Sequence, residues 1–97
     1  MINHVVLFKL KENTELLSQL NSFKQMLMAL PALIPEIKHL EVGINHDLKS
    51  SNYHLCIISH FENLESMRIY LAHPEHIKVS SEFKDKIESR SSVDFTF

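Results

Sequence analysis

An α+β fold with one four-stranded sheet is predicted by three observations. Strand-like apolar stretches recur at Ile2–Leu10, Ile37–Asn45, Tyr53–Phe61 and Ser91–Phe97. Helical stripes separate the first stretch from the second and the third from the fourth, and a polar, turn-like segment, His46–Asn52, joins the middle pair. The chain has a single glycine, so few tight hairpin turns are available and helices must make most connections.

In Ile2–Leu10, His4, Val6, Phe8 and Leu10 share one face, and Asn3, Val5, Leu7 and Lys9 the other. Both faces are apolar in the middle, so both need covering. Asn13 or Thr14 is the expected N-cap of the first helix, whose stripe runs Leu16, Leu20, Phe23, Leu27, Leu30 until Pro31 stops it. Leu33 and Ile34 should lie down on the core. The second strand is half polar, and its Gly43 points to a bulge or a close backbone approach.

The third strand alternates His54, Cys56 and Ile58 with Tyr53, Leu55 and Ile57. Asn63 caps the next helix, which buries Leu64, Met67 and Leu71 and carries Tyr70 on its flank. Pro74 breaks that helix and opens another as its first residue. There His76, Ser80, Phe83 and Ile87 form one stripe with Val79 beside it, before a last strand in which Val93, Phe95 and Phe97 alternate with Ser92, Asp94 and Thr96.

The order β-α-β-β-α-β over residues 1–97 is a single ferredoxin-like domain with an antiparallel sheet. The first and third strands are expected side by side and are read as a parallel pair. Helices on one face leave the other bare, with Val5, Leu7, Leu55 and Ile57 or their counterparts exposed. That patch is too apolar for water and predicts a homodimer packed sheet to sheet.

Composition narrows the function. Net charge is −2 with scattered cations, which offers nothing to nucleic acid or an anionic membrane. The one cysteine, Cys56, cannot form an internal disulfide and reads as core; with no signal-peptide pattern and no bilayer-length segment, a cytoplasmic protein is expected.

Seven histidines are the chemical feature. Parity on adjacent strands should project His4 and His54 from one face, and His76 on its stripe and Tyr70 before the break should border the same space. The candidate pocket therefore holds His4, His54, His73, Val6 and Met67, with His76 as base and Tyr70 as acid toward a small apolar or carbonyl-bearing molecule. At the start of its helix His76 is held neutral by the helix dipole. The opposing reading makes these side chains hydrogen-bonded or pocket-shaping groups without catalysis. A metal on His73 and His76 is set aside, since no HExxH, cysteine pair or acidic set supports it; no cofactor is expected. Neither a glycine-rich phosphate loop nor Ser-His-Asp spacing is found.

His4-Val5-Val6-Leu7-Phe8-Lys9, Glu41-Val42-Gly43-Ile44-Asn45, Tyr70-x-x-His73-Pro74-x-His76 and Val93-Asp94-Phe95 resemble, in order and over nearly the whole chain, the stress-responsive A/B barrel domain family (Dabb). The resemblance implies a ferredoxin-like protomer that dimerises into an α+β barrel. Many members have no assigned activity, and some are linked to stress responses. A plant branch comprises cofactor-free polyketide cyclases working by aldol condensation, whose catalytic Tyr and His fall on Tyr70 and His76 and whose pocket histidines fall on His4 and His54. Related dimeric barrels include cofactor-free monooxygenases and haem-degrading enzymes; the latter need a particular histidine and aromatic environment, and this chain has no Trp.

Overall fold

The computed structural model describes residues 1–97. Its elements are β1 (Ile2–Leu10), α1 (Leu16–Met28), β2 (His39–Ile44), β3 (Leu55–Phe61), α2 (Leu64–Ala72), α3 (Pro74–Phe83) and β4 (Ile87–Thr96), with short 3-10 turns at Leu30–Ala32 and Lys84–Lys86. One sheet in the order β2-β3-β1-β4 carries the helices on a single face. This is the expected ferredoxin-like architecture.

Strand direction corrects the expectation. β1 and β3 are antiparallel, with His4 opposite Ser59 and Phe8 opposite Leu55. The helical crossover returns β2 parallel to β1, and the hairpin through residues 46–52 then reverses β3. The helix-facing residues of β3 are consequently Leu55, Ile57, Ser59 and Phe61, all buried. Its uncovered residues are Cys56, Ile58 and His60, which stand opposite Leu7, Val5 and Asn3. Leu55 and Ile57 thus belong to the core rather than to the bare face.

Local signals explain most of the helices. Leu20, Phe23 and Leu27 bury the α1 stripe, and Phe23 stacks on Phe83 with ring centroids 4.3 Å apart, tying α1 to α3. Asn13 accepts the Glu15 amide hydrogen at 2.7 Å, a turn just ahead of the helix, while Glu15 itself occupies the cap position without a side-chain bond. Of the pair after Pro31, Ile34 is fully buried and Leu33 half exposed. Asn63 caps α2 by accepting the Ser66 amide hydrogen at 2.8 Å. Tyr70 is buried with Met67 on the inner side of α2, whereas Leu64 is exposed; the phenol is interior, not flanking.

β4 begins at Ile87, ahead of the expected start at Ser91, and takes in the polar run Glu88–Ser91. Pairing along the length of β1 overrides the low strand propensity of that run. A register shift at Lys9/Leu10 is the sheet's irregularity. Gly43 instead lies in regular pairing opposite Cys56, and a Cβ there would meet nothing within 4 Å.

Candidate functional site

The break between α2 and α3 places the site. His73 has extended backbone angles (φ −67°, ψ 137°), as the residue before a proline prefers, and its Nδ1 accepts the Glu75 amide hydrogen at 3.1 Å. Pro74 follows as the first helical residue. The turn brings the His76 ring to 4.5 Å from the Tyr70 ring, centroid to centroid, and Tyr70 lies 6.2 Å from His4. Phe61 packs beneath, 4.9 Å from Tyr70 and 6.3 Å from His4.

These groups border one cavity of about 470 Å³. Its floor is His4, Val6 and Phe8 of β1 with Ile57 of β3; α1 supplies Phe23 and Leu27, and α3 supplies His76, Val79 and Ser80. Lys84, Ile87 and Arg90 close it on the β4 side. A mainly apolar space with a few convergent polar groups is the usual form of a small-molecule site.

Hydrogen bonds set the proton positions. The His76 Nδ1 lies 3.1 Å from the Leu71 carbonyl oxygen. A carbonyl only accepts, so Nδ1 carries the hydrogen and the neutral ring keeps its lone pair on Nε2. Burial lowers the His76 pKa, opposed by the Leu71 bond and reinforced by the neighbouring His4, Arg90 and His73. His4 Nδ1 is bonded to the Asp94 carboxylate in the same way, which orients its ring over the cavity. Burial pushes the Tyr70 phenol up to about 12, so it stays a donor at neutral pH.

The Tyr70 value has a consequence for alkaline stability. The folded chain holds this proton more tightly than the unfolded chain, whose phenol titrates near 10. Stability is therefore intact below pH 10 and falls as pH rises toward 12, by up to about 3 kcal/mol. Urea midpoints of wild type and Tyr70→Phe at about pH 9 and about pH 12 check this: the wild type should lose more between the two. Equal losses would overturn it.

Not every expected pocket residue is there. Val6, His4, Tyr70 and His76 line the cavity. His54 does not: antiparallel pairing places it beside Phe8 and Leu10, its backbone donating to the Phe8 carbonyl and its Nδ1 accepting the Leu10 amide hydrogen at 3.2 Å. That is about six residues along β1 from His4, roughly 20 Å at about 3.3 Å per residue. His73 serves as the cap of α3, and Met67 packs in the core outside the lining. Asp94 and Arg90 are what sequence reasoning missed. Their link to β1 lies in the β4 register, His4 opposite Asp94 and Phe8 opposite Arg90, which no local pattern announces. No group of three or more His, Cys, Asp or Glu side chains is arranged to hold a metal ion, and no helix is long and apolar enough to cross a membrane.

Comparison with known proteins agrees with this architecture. The Bacteroides fragilis crystal structure of a dimeric protein of unknown function with a ferredoxin-like fold is 37% identical, with a TM-score of 0.90 over 99% of this chain and 95% of that one. Two stress-response A/B barrel domain-containing proteins of Arabidopsis thaliana are 28% and 29% identical over 84% and 98% of this chain. The chain spans only 31% and 46% of their respective lengths. The family profile described as Stress responsive A/B Barrel Domain matches residues 2–97, and the chain belongs to that family.

Proposed function

We propose that this protein works as a homodimer, sheet packed on sheet, in which each protomer binds a small, mainly apolar molecule bearing a carbonyl group. The observation that carries the pocket reading is the single cavity bordered by both Tyr70 and His76. The phenol donates toward a ligand oxygen, and the apolar walls take the remainder of the molecule. Support for the dimer comes from the uncovered sheet face, where Val5, Leu7 and Ile58 adjoin exposed Val93 and Phe95. The 37% identical Bacteroides fragilis protein is dimeric. A two-fold interface covers both copies of such a patch at once.

A second reading, cofactor-independent proton transfer of the cyclase or isomerase type, is favoured by one specific feature. The Leu71 carbonyl fixes His76 in the tautomer whose Nε2 is basic, and the neighbouring Tyr70 phenol can steady an enolate oxygen. His76 is then the base and Tyr70 the acid.

Both readings are tested with 2-decanone in D2O. Chemical-shift changes in the labelled protein should cluster on cavity-lining residues, which reports binding. Deuterium entry beside the carbonyl reports proton transfer, and His76→Phe should slow it by about 100-fold or more. Binding without exchange leaves the non-catalytic role; absence of binding removes the pocket reading.

A further inference from the structure

The cavity has a charged end that neither role above uses. Lys84 and Arg90 are the lining residues that carry a full charge, both positive, and no carboxylate lines the space with them. Neither cation belongs to any of the four ion pairs, His4–Asp94, Lys9–Glu88, His39–Glu41 and Lys49–Asp47. The nearby carboxylates of Asp94 and Glu88 are thus already engaged. Arg90 makes one long hydrogen bond, 3.4 Å to the Ser92 hydroxyl, and its guanidinium carbon sits 5.9 Å from the Phe8 ring centroid. The aromatic floor thereby holds a cation at the cavity edge while leaving most of its N–H donors free.

Two unpaired cations beside an apolar wall focus positive potential into the space. This is local, because the chain as a whole is slightly acidic. Arg90 is also felt deeper in the site, where its charge partly opposes the burial-driven rise at Tyr70 and adds to the burial-driven lowering at His76.

We propose that the cavity selects an amphipathic acid, a molecule with an apolar body and one carboxylate, whose headgroup sits between Arg90 and Lys84 and whose body runs inward toward Tyr70 and His76. A guanidinium fork with a single ammonium suits one carboxylate: two parallel hydrogen bonds from Arg90 and a point charge from Lys84. A neutral ligand leaves both cations unused, and a cationic one is repelled. This assignment rests on the pocket reading and adds the chemical class.

Calorimetric titration of the intact protein at low ionic strength with three ten-carbon probes tests it. Decanoate should bind about tenfold more tightly than decanol, and decyltrimethylammonium least tightly. In the Lys84→Gln/Arg90→Gln variant decanoate should lose its advantage over decanol, the two binding about equally. Both positions are exposed, so folding should persist; an unchanged urea midpoint verifies it, and Arg90→Lys should restore part of the preference. Equal binding of decanoate and decanol by the wild type, or equal weakening of both in the variant, overturns the carboxylate assignment with the pocket intact. If no probe binds, the pocket reading and this assignment fall together.

Discussion

Phe61→Ala is expected to lower the unfolding free energy by about 3–5 kcal/mol. The ring is fully buried at the end of β3 and touches both His4 and Tyr70. Truncation removes the transfer free energy of the ring and leaves a void that the paired strands on either side cannot close. Domains of this size hold only about 5–15 kcal/mol in total, so the loss is a large share. It also frees the Tyr70 and His4 rings to move, so ligand affinity should fall with stability. Urea denaturation at fixed protein concentration checks the first part, as a lower midpoint with an unchanged slope. Leu17→Ala, on the exposed side of α1, is the control and should change stability by less than about 0.5 kcal/mol. A Phe61→Ala loss as small as the control's would show that the ring does not brace the site.

Ile58→Asp is expected to convert the proposed dimer into monomers. Ile58 lies at the middle of the uncovered face, opposite Val5 on one side and Glu41 on the other. Two-fold packing would bury a new carboxylate in each copy without a cationic partner, beside an acidic neighbour. Such a group costs about 2–5 kcal/mol, and two copies raise the dissociation constant by roughly 1,000-fold or more. Sedimentation velocity at micromolar concentration should give two chains for the wild type and one for the variant. A monomeric wild type ends the dimer proposal. Cavity residues lie on the opposite face of the sheet, so a folded monomeric variant also shows whether the pocket needs its partner.

The local parts of the fold are legible in the sequence. Caps, stripes and proline breaks act over three or four residues, and Asn63 and Pro74 do what their chemistry dictates; Pro31 does not stop α1 directly, since the helix ends at Met28, and Leu30 and Pro31 continue it as a 3-10 turn. Strand direction is not, because it depends on how the connections wind. Reading β1 and β3 as parallel puts Leu55 and Ile57 on the wrong face and His54 beside His4. Counting the crossover and the hairpin in turn gives the antiparallel pair. Tyr70, His76 and His4 do come together, since the Pro74 break is local and alternation along β1 puts His4 on one face with Val6 and Phe8, the face that the structure shows under the helices. Asp94 and Arg90 need the register of two strands at opposite ends of the chain, and the polar run Glu88–Ser91 hides the first half of β4.

β1 is one of the two inner strands of the sheet, and both its neighbours, β3 and β4, are synthesised after it. His4 and Asp94 are 90 residues apart. At about 5–20 residues per second, roughly 5–20 s pass between the appearance of His4 and that of its carboxylate. Throughout that interval an apolar strand has at most one partner, and closing the long loop carries an entropic cost before any contact rewards it. Assembly of the sheet is therefore a late, cooperative event rather than a growth from the amino terminus. The polar end of the cavity is completed in the same step, because Asp94, which orients His4, and Arg90 both lie on β4.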